Sequence, residues 1–182
     1  TERQRLAVMR CACSDAARAR RAASQVRLDA LLDRHLLIDA YNVLTTVEAA
    51  LAGGVILAAR DGCCRDLASM HGTFRQVDET APALLLIGRT LESAGPSSCT
   101  WLLDSPVSNS GRLAGRMREI AAENGWPWTV QLVMSPDHVL TQTDQIVATA
   151  DSIVLDRCRQ WINLARQVVV TCVPDARIID LG

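Results

Sequence analysis

The run His35-Leu36-Leu37-Ile38-Asp39-Ala40-Tyr41-Asn42 constrains the fold more than any other stretch of the chain. An apolar segment this short, closed by a carboxylate, reads as a strand over 35 to 40. From Leu36 onward strand-like and helix-like patterns alternate. That alternation predicts a three-layer α/β/α domain whose mainly parallel sheet carries helices on its faces, in a Rossmann-like arrangement.

A helix is expected from Thr45 or Thr46 through Val47, Ala50 and Leu51 until Gly53-Gly54 breaks it. Helices are also expected over 61 to 72 and over 81 to 93. The second strand is 99 to 103, ending at Asp104, followed by the polar loop Ser105-Pro106-Val107-Ser108-Asn109-Ser110-Gly111. A helix over 111 to 124 then ends at Asn124-Gly125 in the manner of a C-cap. Trp128 to Met134 is the third strand, and Ser135-Pro136-Asp137 a turn or helix start. For residues 144 to 151, either a fourth strand ends near Asp151 or the following helix begins early. That helix rests on Val154, Cys158, Trp161, Ile162 and Ala165 at i, i+4, i+7, i+8 and i+11. Segments 167 to 172 and 177 to 181 read as closing strands.

Ahead of this domain, residues 1 to 34 are rich in alanine and arginine and read as one or two helices. The chain opens on Thr, so the expectation is that these residues are a truncated basic leader rather than a full domain. The domain proper runs from 35 to 182. All 19 basic residues are arginine, and the net charge is -1. Eight arginines precede residue 35 against four acids there, so positive charge gathers in the leader. The total excludes a strongly basic nucleic-acid binder and a disordered acidic chain. No apolar run reaches the roughly 18 residues of a membrane span, and a cytoplasmic location without membrane association is expected. Seven cysteines, an odd number without C-x-x-C pairs, speak for buried thiols rather than structural zinc.

The C-terminal ends of parallel strands share one edge, and side chains just beyond them converge on a crevice where the strand order switches. Asp39 and Asp104 end the two clearest strands, Asp137 follows the third, and Asp151 follows the fourth if that strand exists. Crowded carboxylates repel one another unless a cation neutralises them. Mg²⁺ and Mn²⁺ suit such oxygen donors, and phosphodiester hydrolysis is the chemistry most often built on them. Each acid taken alone is more often a cap or turn residue than a ligand. Asn42 adds an amide beside Asp39, while Ser105 and Asn109 offer polar contacts for phosphate. There is no Gly-x-Gly-x-x-Gly after the first strand and no Walker loop.

Leu37-Ile38-Asp39-Ala40-Tyr41-Asn42-Val43-Leu44 resembles the opening strand of PIN-like and NYN-like ribonucleases. Leu103-Asp104 and Thr149-Ala150-Asp151-Ser152 continue the likeness, the latter being similar to a Thr-Ser-Asp element of that superfamily. More closely, the runs 38 to 51, 61 to 72 and 101 to 111 resemble an uncharacterised domain-of-unknown-function family of PIN-like type. The loop Asp104 to Ser110 and the segment 61 to 72 depart from ordinary PIN nucleases. The resemblance implies a PIN-like topology, with Asp151 at a strand end, and a Mg²⁺ or Mn²⁺-dependent nuclease acting on RNA. Asp39, Asp104, Asp137 and Asp151 would be its catalytic metal ligands, with Asn42, Ser105 and Asn109 toward substrate. A non-catalytic RNA- or protein-binding module and a phosphate-handling enzyme for a small nucleotide are the alternatives. Homodimerisation stays open.

Overall fold

The computed structural model describes residues 1–67 and 78–182. Helices α1 (Glu2–Cys11) and α2 (Asp15–Ser24) and a 3-10 turn at Leu28–Leu31 lead into β1 (His35–Asp39). There follow α3 (Ala40–Leu51), β2 (Val55–Ala58), β3 (Cys64–Asp66), α4 (Thr80–Ala94), β4 (Ser98–Asp104), α5 (Ser110–Asn124) and β5 (Trp128–Val133). The last elements are α6 (Pro136–Gln142), β6 (Ile146–Ala148), α7 (Ser152–Leu155), β7 (Gln160–Ile162), α8 (Leu164–Cys172) and β8 (Arg177–Asp180).

Five parallel strands form the main sheet in the order β5-β4-β1-β6-β7. The chain builds outward from β1 through β4 to β5, then crosses back to place β6 on the other flank of β1. A doubly wound sheet reverses direction in this way, and the reversal opens a crevice at the strand C-termini beside β1. Side chains alternate between two cores. Leu36, Ile38, Trp101, Leu103, Ile146 and Ala148 face the layer holding α3, α4, α5 and α8. Leu37, Leu102 and Val147 face the opposite layer with Leu140 of α6 and Val154 and Leu155 of α7. The result is a three-layer α/β/α fold. A smaller sheet, β3-β2-β8, stands beside it.

Several expectations need correction. Residues 61 to 67 are not helical: Gly62, at φ 82°, turns the chain between β2 and β3, which pair antiparallel. The positive φ suits glycine. Residues 68 to 72 lie outside the described residues. The expected helix through Val154, Cys158, Trp161, Ile162 and Ala165 is divided among α7, β7 and α8. Its helical spacing arose from two cores rather than one face, since Val154, Cys158 and Trp161 enter one layer and Ile162 and Ala165 the other. Segment 167 to 172 belongs to helix α8 despite its β-branched run, because Val168 and Val169 are buried in the core packed by α3 and α4. Tertiary packing overrides strand propensity there. Helix α3 starts at Ala40, directly from the strand end, rather than near Thr45. Strand β6 settles residues 144 to 151 as strand followed by helix.

The leader docks onto this body. Val26 N–H donates to the Trp161 carbonyl at 2.8 Å, extending the β7 edge, and Trp161 Nε1 donates to the Arg21 carbonyl at 2.8 Å. Arg60 donates to the Cys13 carbonyl and Asp15, closing the other end of the leader onto the β2–β3 hairpin.

Candidate active site

Asp39 ends β1 beside the switch in strand order and is 4% exposed. Its Oδ2 accepts from Asn42 Nδ2 at 2.7 Å and from Thr149 Oγ1 at 2.8 Å. Asn42 stands in the first turn of α3, and Thr149 directly follows β6, so the two flanking elements grip one oxygen. Burial raises the Asp39 carboxyl from 3.8 to about 7; the Thr149 hydroxyl opposes this, and the charges of Asp137 and Asp151 add to it.

The other three strand-end acids are coupled to Asp39 or to one another through their charges. Asp104 ends β4 and is half-buried; burial and then the charge of Asp137 raise its pKa. Asp137 lies in the first turn of α6, where Ser135 rather than Asp137 caps the helix. Burial, then the charge of Asp151, raises the Asp137 pKa too. Asp151 caps α7, its Oδ1 accepting from Ile153 N at 2.7 Å and Val154 N at 3.1 Å, which leaves Oδ2 outside the cap. All four carboxylates thus stand within one electrostatic field, with Asp137 linked to each of the other three.

Of the residues read as substrate contacts, Asn42 spends its amide on Asp39. Ser105 is exposed and donates to Met134 Sδ at 3.2 Å. Asn109 is exposed in the left-handed region at φ 67° and precedes α5. Ser105 and Asn109 lie in the loop between Asp104, at the end of β4, and α5.

Sequence reasoning gave no role to Thr149, Tyr41 or Arg65. Thr149 joins two acids: its hydroxyl donates to Asp39 and accepts from Asp151 N at 3.0 Å. The local signal was a threonine two residues before the aspartate, the spacing of a hydroxyl turn. Burial, with the charge of Asp104, pushes the Tyr41 phenol up to about 12. Arg65 holds the Ala150 carbonyl from 85 residues away, and nothing local signals it.

Among the described residues, no group of three or more His, Cys, Asp or Glu side chains is drawn tightly enough to hold a metal ion. The donors are nevertheless hard oxygens, and Mg²⁺ commonly binds through one or two carboxylates while keeping several waters. Raised carboxyl pKa values mark a place where positive charge is lacking. The chemistry of the donor set fits a divalent cation on two of these acids.

No helix among the described residues is long and apolar enough to cross a membrane. The chain is 29% identical over 120 residues to the uncharacterized protein MJ0935 of Methanocaldococcus jannaschii, a match covering 66% of this chain and 57% of that protein. No solved structure matches the chain. Residues 28–167 match the family model described as domain of unknown function DUF5616, a span running from the end of the leader through all four strand-end acids. The chain belongs to the DUF5616 family.

Proposed function

We propose that this protein is a Mg²⁺ or Mn²⁺-dependent phosphodiesterase of PIN-like type acting on single-stranded RNA. The observation that carries the reading is the convergence of Asp39, Asp104, Asp137 and Asp151, from four strand ends, with three of their pKa values raised by burial and by one another. Unneutralised carboxylates at a sheet switch point are costly to stability, and a cation site offsets that cost.

When bound, a divalent cation supplies Lewis acidity toward a phosphoryl oxygen and a water nucleophile. The chain's own residues do the rest. Asp39 and Asp151 Oδ2 are the first-choice donors, because Thr149 bonds both the Asp39 carboxylate and the Asp151 backbone N–H, and the α7 cap uses only Asp151 Oδ1. Asn42 and Thr149 hold Asp39 Oδ2 and so set the direction of its carboxyl group. Asp104 and Asp137 would serve as further direct or water-mediated ligands. Ser105 and Asn109, exposed in the loop after Asp104, would contact a flanking nucleotide.

Arg20 and Arg21 are engaged with Asp156 and Asp61, Arg27 with Asp29 and Arg34 with Gln160, so backbone phosphates fall to other leader arginines such as the exposed Arg5 and Arg18. RNA binding through them weakens steeply with salt. The test is cleavage of single-stranded RNA by purified protein with Mn²⁺. Asp39→Asn should abolish it, and activity that persists in that variant or in EDTA defeats the metal mechanism. The absence of a three-ligand cluster among the described residues favours a second reading, a non-catalytic RNA-binding module. RNA binding without Mn²⁺ affinity would support it.

A further inference from the structure

We infer that a buried relay, Arg21–Asp61–Arg65, is a positioning device for Asp151, which makes helix α2 of the leader part of the site's scaffold. Its functional consequence rests on the reading of the acid cluster given above; its geometry does not.

Arg65 donates from Nη1 and Nη2 to the two oxygens of Asp61 at 2.9 and 2.7 Å. Asp61 Oδ2 also accepts from Arg21 Nη1 at 2.6 Å. These three side chains are 4%, 1% and 5% exposed for Arg21, Asp61 and Arg65. The donors left over point to the site. Arg65 Nε donates to the Ala150 carbonyl at 2.9 Å, and Arg21 Nη2 to the Ser152 carbonyl at 3.3 Å. Those carbonyls belong to the residues on either side of Asp151. Between them, Asp151 N donates to Thr149 Oγ1, which in turn donates to Asp39. The backbone before, at and after Asp151 is therefore held at three successive points.

Energetics argue for position over bulk stability. A buried ion triad seldom outperforms well-packed apolar side chains of similar volume. What it offers here is direction: a guanidinium can fork onto Asp61 and still present an N–H to a carbonyl, which a lysine ammonium cannot do with the same geometry. Arg21 uses Nε on Asp156 at 2.8 Å, Nη1 on Asp61 and Nη2 on Ser152, so each of its nitrogens is spent. Arg21 sits 40 residues before Asp61, and Asp61 lies 85 residues or more before the segment held. The leader, the β2–β3 turn and the β6–α7 junction are joined at one point.

The test compares the full chain with Arg65→Lys and Arg21→Lys, which keep the buried charge balance. Amide hydrogen exchange at Ile153 and Val154, the two amides capped by Asp151, reports the carboxylate's place, with β4 amides as the reference for global opening. Water-proton relaxation gives the affinity for Mn²⁺ alone. Arg65→Lys should speed exchange at both amides about tenfold relative to β4 and weaken Mn²⁺ about tenfold, the scale of outer-sphere changes at metal sites. Arg21→Lys should move both in the same direction, and it decides the matter if Arg65→Lys does not fold. Exchange unchanged within twofold in the folded variants overturns the inference. Faster exchange with unaltered Mn²⁺ affinity overturns the link to the site. If the wild-type protein binds no Mn²⁺, the metal reading fails while the exchange data still decide the positioning.

Discussion

Replacing Asp39 by asparagine should stabilise the protein at neutral and alkaline pH while removing the proposed phosphodiesterase activity. Asp39 is 4% exposed and its carboxyl is raised from 3.8 to about 7, with burial the main cause. The folded state therefore holds a proton that the unfolded chain has released between those two values. Stability falls wherever the folded state binds more protons, so it declines as pH rises from about 4 to 7 and then levels off. At ~1.4 kcal/mol for each pKa unit, the accumulated loss at pH 8 is about 4 kcal/mol. Asparagine has no such cost. Its amide oxygen can accept from Asn42 and Thr149 as Asp39 Oδ2 does, and its NH₂ can face the negative charge of Asp137 and Asp151.

Urea denaturation from pH 4 to 8.5 checks this. The midpoint difference between variant and wild type should be near zero at pH 4, open across the interval and reach roughly 2 M at pH 8, for an m-value of about 2 kcal/mol/M. Glu48, a buried carboxyl raised to about 7 mainly by burial, loses stability in the same window in both proteins and so cancels in the difference. Adding Mn²⁺ should stabilise the wild type and not the variant, closing the gap by mass action. A variant less stable than wild type at pH 8, or a difference that stays constant from pH 4.5 to 8, would refute the reasoning.

Thr149→Val should raise the Asp39 pKa further, since the hydroxyl that favours the charged form is gone, and cost about 1–3 kcal/mol from the polar groups left unpaired. Carboxyl-carbon NMR titration and thermal melts measure the two effects. Asp151→Ser should keep most of the α7 cap, whereas Asp151→Ala should lose about 1 kcal/mol. Both should lose Mn²⁺ affinity, and a serine variant that still binds Mn²⁺ would show that Asp151 serves only as a cap. Gly88→Ala should destabilise by about 1–3 kcal/mol, because a methyl there would lie 2.0 Å from Cζ3 of the buried Trp126 ring. Thermal melts with tryptophan fluorescence would report it, and an unchanged melting temperature would mean that the Trp126 ring yields freely.

The acids were legible because each sits at the end of a local pattern. A short apolar run closed by Asp39 or Asp104 marks a strand end whatever the rest of the chain does, and a parallel sheet then brings those ends together. The Val154-to-Ala165 spacing failed for the converse reason. A segment crossing between two cores buries residues in both layers, and their summed pattern imitates a helix that no single face requires. The Asp61–Arg65 pair shows how far spacing can mislead: an i,i+4 ion pair is a helical signature, yet here it spans a turn at Gly62.

Long-range polar contacts are harder still to read. Arg21 looked like one of eight leader arginines available for phosphate, and only its tertiary partners reveal that it is spent inside the protein. Under the proposed reading the arginine-rich composition has two physical roles that sequence cannot separate: exposed guanidinium groups that draw in polyanions, and buried forks that set the direction of a backbone. The first role depends on net charge and weakens with salt. The second depends on donor geometry and is shielded from salt by burial. Salt dependence therefore distinguishes them, since raising ionic strength should weaken RNA binding while leaving the protection of the Ile153 and Val154 amides intact.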